Sequence, residues 1–600
     1  MNARQTQDSA ASKRQRFEAD YTRSGDTVSL GGEYLADETA LVTRLLAIAG
    51  ESESERASVY KTAHSLVEHV RKQNEDRSGI EAFLQKYDLS SQEGIMLMCI
   101  AEALLRIPDA DTADALIADK ITAADWSSHL GSSESLFVNA STWGLMLTGK
   151  MLTLDEAHQR NPRELFRRLV SRAGEPVVRS AMRQAMKVMG HQFVMGRDID
   201  AAIKRAGKGE NKHYRYSFDM LGEAALTRTD AQRYFEAYAA AIDAIGSAPS
   251  GDDIFSTHSI SVKLSALHPR YEFARRQQAM DELAPQLLAL AQRARDVGIG
   301  LTMDAEEADR LQLSLDIFGA VFRDPSLEGY EGLGLAVQAY QKRGLAVVEW
   351  LTALSRDVGR RIPVRLVKGA YWDTEIKHAQ ELGLAGYPVF TRKVNTDVSY
   401  LACARAMLDA GDAIYPQFAT HNAHTLAYVF HHAGSRRDYE FQRLHGMGEE
   451  LYSAVIDSDR YDRQCRVYAP VGSHEDLLPY LVRRLLENGA NTSFVNQIVD
   501  PNESIDEIVA EVLSLDQIPH EKIVLPAEIF GDERRNSSGV NLPDRTTAAA
   551  LYDAMASHAQ QSYSVGPVID GRSVEGVDNQ SVNPFDTNET IGDVAFASGD

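Results

Sequence analysis

Short β-type runs alternate with amphipathic helical stretches between residues 214 and 488 of this 600-residue chain. We predict strands at 214–220, 259–266, 298–305, 332–339, 362–369, 414–421, 439–446 and 466–472. Helical patterns stand between them at 231–245, 280–297, 347–356, 398–410 and 477–488. Strict alternation predicts an α/β fold with a parallel sheet, because parallel neighbours need a long crossover. Eight units between residues 214 and 488 favour a closed (β/α)8 barrel, which typically takes about 250 residues, over an open doubly wound sheet.

The residues on either side of these units have different patterns. Residues 1–30 are polar and predict a disordered tail, whereas 31–212 have helical periodicity and predict an all-α region ahead of the barrel. The barrel itself is predicted at 213–530. Residues 531–566 are polar with Gly and Pro, which predicts a linker. Residues 567–600 read as strands and turns, and we expect them to open a further domain that this chain does not complete.

Composition narrows the classes of function. The net charge of −23 disfavours nucleic acid and anionic lipid as partners. The three cysteines are widely spaced and no CxxC occurs, which disfavours a disulfide framework or a cysteine-bound zinc. No apolar run approaches the roughly 20 residues of a membrane-spanning helix, and the polar start lacks the pattern of a signal peptide. We therefore expect a cytoplasmic protein.

Polar residues recur where the predicted strands end. In an eight-fold barrel the chemistry gathers at the carboxyl ends of the strands. The residues found there are Asp219, Lys263, Asp304, Gln338, Arg365, Lys368, Thr420, His421, Asn422, His445 and Tyr468. Salt-bridged packing of the barrel layers is the alternative explanation. A ring of ionisable groups in a cleft nevertheless favours a functional site, since buried charges persist only when they are paired.

The stretch VRLVKGAYW at 364–372 is the most specific of these strand ends. Strand alternation is expected to point Arg365 into the barrel mouth. Gly369 would let a ligand approach the backbone closely, and Tyr371 and Trp372 would supply flat apolar walls. The combination predicts a large, planar, anionic ligand. The alternative is a strand end at which Arg365 is hydrogen-bonded within the protein and Gly369 lies in a turn. That alternative would explain each residue singly.

A second group follows the eighth predicted strand in YLVRRLLENGANTSF at 480–494. Arg483 and Glu487 are four residues apart and share a helix face, and Arg484 is adjacent. Paired arginines can hold a carboxylate by bidentate hydrogen bonds. A solvated helix face is the alternative.

Two other functions stay open on the residues alone. His421 and Asp304 at strand ends could ligate a metal in a barrel hydrolase, although HExxH is absent and no HxH pair stands at the first strand. A DNA-binding regulator is the third hypothesis, and the short basic run at 12–16 is the one early feature in its favour. The phosphate-binding patterns GxGxxG and GxxxxGK[ST] do not occur, so a Rossmann fingerprint is not expected.

The stretches VKLSALHPRY, DAEEADR, QAYQKR, RLVKGAYWD, ATHNAH and YLVRRLLENGANTSFV closely resemble the proline dehydrogenase domain of the bacterial bifunctional enzyme proline utilization A. The resemblance covers most of residues 30–530. In that family the catalytic domain is an FAD-binding (β/α)8 barrel, so the resemblance implies FAD as the cofactor. It implies L-proline as the substrate and 1-pyrroline-5-carboxylate as the product, by hydride transfer from proline C5 to flavin N5.

The resemblance also implies roles for individual residues. Asp304 and Arg365 would be catalytic, with Arg365 near flavin N5. FAD would be held by Ala305, Gln338, Arg365, Val367, Lys368, Gly369, Ala370, Trp372, Thr420, His421, Asn422 and Glu487. Proline would be bound by Lys263, Leu366, Tyr371, Tyr468, Arg483 and Arg484. Asp219 and Glu223 would form a gate, and no metal is expected.

Partners and limits follow from the same resemblance. Electrons would pass to a quinone, which implies transient contact with the surface of the inner membrane. Residues 1–30 are too short and polar for the ribbon-helix-helix module of some family members, so we expect no DNA binding.

Residues 567–600 resemble the start of an aldehyde dehydrogenase domain. Because Cys99, Cys403 and Cys465 all lie upstream, we expect the NAD-dependent oxidation of glutamate semialdehyde only in a longer protein. No oligomeric state is predicted.

Overall fold

The structure is a computed structural model that describes residues 30, 32–75, 194–248, 251–472, 497–498, 503–510, 519–559, 561 and 563–599. Most of the predicted tail and the middle of the predicted α-region lie outside these residues. So does the predicted helix at 477–488, which carries Arg483, Arg484 and Glu487.

Eight parallel strands close into a barrel in the middle of the chain. They are β1 Arg215–Met220, β2 Ser259–Val262, β3 Gly300–Met303, β4 Leu333–Gln338, β5 Ile362–Val367, β6 Ile414–Ala419, β7 Glu440–Leu444 and β8 Cys465–Val471. β8 pairs with β1 over six residues, from Arg215 opposite Arg466 to Met220 opposite Val471. Since this pairing closes the ring, the predicted (β/α)8 barrel is confirmed and the open sheet is wrong.

Helices surround the barrel and precede it. They are α1 Glu38–Ala49, α2 Glu53–Glu75, α3 Ile199–Ala206, α4 Arg228–Gly246, α5 Leu264–Leu267, α6 Arg276–Asp296, α7 Leu311–Phe322, α8 Gly344–Val358, α9 Trp372–Glu381, α10 Lys393–Asp409, α11 Ala423–Ala433, α12 Glu449–Ile456, α13 Ile505–Ile508 and α14 Arg545–Ala559. α4 begins at a capping box, in which Thr227 and Asp230 satisfy each other's backbone N–H groups. Among the helices of the described residues, none has the length together with the apolar character that a bilayer crossing requires.

Alternation along β1 separates an apolar outer face from a polar inner face. In β1, Tyr216 and Phe218 are buried in the main hydrophobic cluster, while Ser217 and Asp219 are buried polar residues between them. Successive side chains of a strand point to opposite faces, so the apolar set packs under the helices and the polar set faces the barrel axis. This arrangement places polar side chains from several strands in one enclosed space.

The first two helices lie against the outside of the barrel. Glu38, which opens α1, is almost fully buried and accepts hydrogen bonds from the backbone N–H of Thr391 (3.0 Å) and the side-chain amide of Asn395 (2.6 Å). α2 packs against α11 and α12. A buried carboxylate needs such partners. They fix the start of α1 to the loop before α10 and to the first turn of α10.

The segment at 531–566, predicted as a linker, contains packed structure. The backbone N–H of Gly539 donates to the carbonyl of Leu382 at 2.7 Å, and Arg545 Nη2 donates to Asp316 Oδ2 at 2.8 Å. Ala548 in α14 is buried. Part of this segment is therefore packed against the barrel helices, and the linker stays a prediction. The Gly and Pro residues that suggested it lie mostly before Arg545, whereas the Ala-rich run that follows has high helix propensity.

Short strands follow α14, and most of their side chains are exposed. They are β9 Tyr563–Val565, β10 Val568–Ile569, β11 Arg572–Ser573, β12 Val577–Val582 and β13 Thr590–Phe596. β10 and β11 form an antiparallel pair, and the other three form a sheet in the order β12, β13, β9. The assignment of 567–600 to an aldehyde dehydrogenase domain stays a prediction.

Candidate active site

Lys263, directly after β2, brings together residues from three other strands. Its ammonium nitrogen lies 2.7 Å from Asp219 Oδ1 and 3.2 Å from Asp304 Oδ2. The same nitrogen lies 3.2 Å from the hydroxyl oxygen of Tyr468 in β8. Each of the three ammonium protons therefore has an oxygen within reach. These four residues, all predicted from the sequence, converge at the carboxyl end of the barrel.

Arg365 extends into the barrel interior and is 3% exposed. Its Nη1 donates to Asp304 Oδ1 at 2.7 Å and to Ser261 Oγ at 3.1 Å. Its Nη2 donates to Ser217 Oγ at 2.9 Å, and its Nε donates to Gln442 Oε1 at 2.7 Å. All three nitrogens of the guanidinium have acceptors, so one orientation of the group is strongly favoured.

Asp304 joins the two cations. Oδ1 of its carboxylate accepts from Arg365, and Oδ2 accepts from Lys263 and from the Tyr468 hydroxyl at 2.7 Å. The guanidinium carbon of Arg365 also lies 5.2 Å from the centroid of the Tyr468 ring. Two cations and two carboxylates thus share the site when Asp219 is included. A cluster with paired charges can tolerate burial, whereas a lone charge could not.

Burial and charge set the protonation of the cluster. Burial raises the pKa of Tyr468 well above its usual range, so this side chain stays a hydroxyl and can donate to Asp304. Burial by itself would lower the pKa of Lys263, but the charges of Asp219 and Asp304 raise it well above its ordinary value. Lys263 is therefore an ammonium at neutral pH and can bind an anion.

The loops after β5 and β6 carry a second group of predicted residues. Lys368 forms an ion pair with Asp397 of α10, and its side chain is 30% exposed. Asn422 is the N-cap of α11, where its side-chain oxygen accepts from the backbone N–H of Thr425 at 3.0 Å. The hydroxyl of Thr420 accepts from the backbone N–H of Asn422 at 3.1 Å. This group presents a cation and a helix N-terminus at one end of the barrel, a setting that suits an anion.

Three more predicted residues are fixed by their neighbours. Gln338 at the end of β4 accepts from Gln341 Nε2 at 2.7 Å. The indole N–H of Trp372 donates to the carbonyl of Phe390 at 2.8 Å. His421 accepts from a backbone N–H at 3.3 Å through Nε2. Their side chains therefore have defined orientations at the strand ends.

Gly369 is required by packing in the protein itself. Its φ is +132°, a region that L residues rarely adopt, and a Cβ at this position would lie 2.5 Å from the ring of Tyr340. The ring of Tyr340 is therefore one reason for a glycine at this position, and the close approach of a ligand to its backbone stays a prediction.

Replacing Gly369 with Ala should lower the midpoint of thermal unfolding by several degrees, since the strained φ and the contact with Tyr340 each cost about 1–3 kcal/mol. Gly359→Ala is the matched control, because Gly359 also has a positive φ (70°) but has nothing within 4 Å of a Cβ. Differential scanning calorimetry of both variants checks the difference. Equal shifts would contradict the role assigned to Tyr340.

Some predicted residues are not brought to the charged cluster. Leu366 is fully buried and lies on the face of β5 opposite Arg365, in the packing between the strands and the helices. Its place in the substrate pocket stays a prediction. Glu223 is half-buried in the loop after β1. The remaining predicted residues lie at the end of β5 or after β3 and β5, where Ala305, Val367 and Tyr371 are half-buried and Ala370 is exposed.

Three functional residues were missed by the sequence reasoning. Ser217, Ser261 and Gln442 hold the guanidinium of Arg365, yet none of them was proposed for the site. Each lies two positions from another polar residue, on the same face of its strand. Ser217 and Asp219 of β1 are an example. This alternation of polar residues was the available signal.

The metal-dependent alternative finds no support at its proposed ligands. Among the described residues, the group of three histidine and carboxylate side chains close enough to share an ion is Glu55, His431 and His432. It includes neither His421 nor Asp304. Both oxygens of Asp304 accept hydrogen bonds from cationic side chains, and two positive charges beside this carboxylate disfavour a metal ion there.

Three family models match successive parts of the chain. Residues 202–497 match the model described as Proline dehydrogenase. Residues 32–71 match Proline utilization A proline dehydrogenase N-terminal domain, and residues 79–193 match DNA-binding domain of Proline dehydrogenase. The first match contains all eight barrel strands.

Two curated relatives match over nearly the whole chain. The Bifunctional protein PutA of Salmonella typhimurium is 49% identical over 574 residues, which is 92% of this chain and 43% of that protein. The Escherichia coli protein of the same name is 46% identical over 595 residues, which is 96% of this chain and 45% of that protein. This chain is PutA-like, and its barrel matches the proline dehydrogenase family model. It spans less than half the length of these curated relatives.

A solved structure agrees with the PutA-like fold. The crystal structure of a single-substitution variant of Bradyrhizobium japonicum proline utilization A has a TM-score of 0.69 and 46% sequence identity, and the match covers 87% of this chain and 53% of that chain.

The DNA-binding description attached to residues 79–193 stands against our expectation of no DNA binding. These residues lie outside the described part of the chain, so that expectation stays a prediction, and a gel shift at moderate salt would test it.

Proposed function

We propose that this PutA-like chain oxidises L-proline to 1-pyrroline-5-carboxylate with FAD as the bound cofactor. The observation that carries the proposal is the meeting of Lys263 and Arg365 through Asp304 at the mouth of a proline dehydrogenase family barrel. A substrate carboxylate and an electron-rich cofactor both need fixed cations, and few other side chains supply them.

The residues at the mouth fit FAD by their chemistry. Arg365 and Lys368 supply positive charge, and Gln338 supplies an amide near the same strand ends. The first amides of α11 follow Asn422, and the N-terminus of a helix is a favourable place for a pyrophosphate. When bound, FAD supplies the acceptor for the hydride that leaves proline C5. We propose that the cofactor residues inferred from the resemblance hold it here.

Lys263 is proposed to bind the proline carboxylate together with Arg483 and Arg484. Its bond to Asp219 is shorter (2.7 Å) than its bonds to Asp304 and Tyr468 (3.2 Å each). A substrate oxygen would therefore replace one of the two longer contacts while Asp219 keeps the ammonium in place. Fixing the carboxylate orients the ring and its C5 atom, which is a large part of the catalytic effect in such reactions.

Arg365 and Asp304 are proposed as the catalytic residues. Arg365 would provide a buried positive charge that stabilises the negative charge that a bound flavin gains when proline is oxidised. Asp304 holds this guanidinium and the Lys263 ammonium in one geometry. Tyr371 and Tyr468 shape the pocket around the proline ring. Water is kept away by the burial of the cluster.

The proposed gate needs a different division of roles. Asp219 is 1% exposed and bound to Lys263, which suits a residue that positions the ammonium. Glu223 lies in the loop after β1 and is half-buried, so it is the better candidate for a residue that moves.

We propose further that the enzyme works in the cytoplasm and passes electrons to a quinone at the inner membrane surface. Oxidation of glutamate semialdehyde with NAD is proposed only for a longer protein.

The test is a visible spectrum of the purified chain under anaerobic conditions. We expect a flavin absorption band that bleaches on addition of L-proline and returns on addition of a soluble quinone. L-Valine serves as a control amino acid that lacks the ring. A chain that takes up no FAD, or a flavin that proline leaves oxidised, would refute the proposal.

A further inference from the structure

We infer that Gln442 is a positioning residue for Arg365, and that Glu440 acts on Arg365 through Gln442. The inference deepens the proposed function and rests on it. It concerns the layer of side chains beneath the mouth, where the barrel interior holds a continuous run of buried hydrogen bonds.

The side-chain amide of Gln442 connects a cation above to a carboxylate below. Its Oε1 accepts from Arg365 Nε at 2.7 Å, and its Nε2 donates to Glu440 Oε1 at 2.8 Å. Gln442 is 2% exposed and Glu440 is 0% exposed. The carboxylate of Glu440 can only accept, so it selects the amide orientation in which the oxygen of Gln442 faces Arg365.

Glu440 is itself held by cationic and neutral donors. Arg466 Nε lies 2.7 Å from Glu440 Oε1, and Arg466 Nη2 lies 3.0 Å from Oε2, which is a bidentate pair. Gln417 Nε2 donates to Oε1 at 3.0 Å. Arg466 is held in turn by the backbone carbonyl of Thr257 at 2.7 Å. The negative charge of Glu440 is therefore balanced within its own layer.

This arrangement keeps the charge of Arg365 available at the mouth. The guanidinium has one carboxylate partner, Asp304, and its other three acceptors are the neutral oxygens of Ser217, Ser261 and Gln442. The two cations and two carboxylates of the cluster already balance, so a second carboxylate in direct contact with Arg365 would make the cluster net negative. The barrel fixes Arg365 with neutral oxygens. It places the next carboxylate, that of Glu440, two residues earlier on β7 than Gln442, out of direct contact with Arg365.

An exchange of the two β7 side chains tests the inference. The double variant Gln442→Glu with Glu440→Gln keeps the total charge and allows a hydrogen bond of reversed direction between the two side chains, but moves the carboxylate into contact with Arg365. It also removes a carboxylate oxygen that accepts from Arg466 and Gln417. We expect FAD content to stay normal and the midpoint potential of the bound flavin to become more negative, by about 30 mV for each tenfold change in the ratio of reduced to oxidised flavin. An unchanged potential would overturn the inference.

A single variant keeps the test decisive if the exchange prevents folding. Gln442→Met removes the acceptor of Arg365 Nε with little change in volume, and Gln417→Met is its matched control. Gln417 binds the same Glu440 but does not contact Arg365. We expect kcat for proline to fall about tenfold or more in Gln442→Met with KM nearly unchanged, and to stay near the original value in Gln417→Met. Equal effects in both variants would show a structural role only and overturn the inference.

The proposed function can fail separately. If the unmodified chain binds no FAD, both proposals fall together. If it binds FAD and proline bleaches the flavin, the proposed function stands, and the potential of the exchange variant or the kinetics of Gln442→Met alone decides the role of Gln442.

Discussion

Replacing Lys263 with Met is expected to lower kcat/KM for proline by about 10²-fold and to lower the free energy of unfolding by about 3–5 kcal/mol. The loss of activity follows because the ammonium is proposed to bind the substrate carboxylate, and a charge-assisted hydrogen bond is worth up to about 3 kcal/mol. The loss of stability follows because Asp219, which is 1% exposed, would keep a buried charge without its cation.

A second substitution separates these two effects. Combining Lys263→Met with Asp219→Asn removes both members of the buried pair, so most of the lost stability should return while the activity stays low. Urea unfolding and steady-state kinetics of the single and double variants measure the two quantities. Recovery of activity in the double variant would show that Lys263 does not bind the substrate. Unchanged stability in the single variant would show that the pair contributes nothing to folding.

Replacing Glu375 with Gln is expected to make the protein more stable at pH 8 by about 3 kcal/mol and to flatten the dependence of its stability on pH. Burial raises the pKa of Glu375 to about 7. The backbone N–H of Ala308, which donates to Oε1 at 2.7 Å, lowers this pKa, and the charges of Asp309 and Glu307 raise it further. The folded protein thus holds a proton that the unfolded chain would release at lower pH.

The sign of the effect follows from this difference in pKa. Because the folded pKa of Glu375 lies above the ordinary value of 4.5, its contribution to stability is complete below pH 4.5 and is lost as the pH rises through about 7. Unfolding free energies measured from pH 5 to pH 8 should therefore fall more steeply for the original chain than for Glu375→Gln. Glu381→Gln is the matched control, because Glu381 ends the same helix and is exposed. Parallel curves for all three proteins would contradict the prediction.

The barrel was predictable because its strands and helices differ in local pattern. All eight predicted strands are present, and β8 alone begins outside its predicted run, one residue early at Cys465. Helix ends were less accurate. α4 begins at Arg228 and was predicted from residue 231, because the hydrophobic period starts later than the capping box of Thr227. A periodic apolar face locates a helix, and a cap locates its first residue.

The charged residues of the site were predictable, but their partners were not. Lys263, Asp304 and Arg365 could be found because each stands at or near the end of a strand. That Asp304 joins both cations depends on which strands face each other across the closed barrel, and the sequence of one strand does not contain this information. Gly369 gives the same lesson. A glycine after a strand indicates that space is needed, but only the structure shows that the ring of Tyr340 takes it.

The order in which the barrel is synthesised has a consequence for its folding in the cell. β8 is the last barrel strand to leave the ribosome, and it both closes the ring and delivers Arg466 to Glu440. A nascent chain that ends before Cys465 has an open sheet edge and a carboxylate near the barrel axis with amides but no cation beside it. We expect such chains to depend on chaperones until translation has passed residue 471.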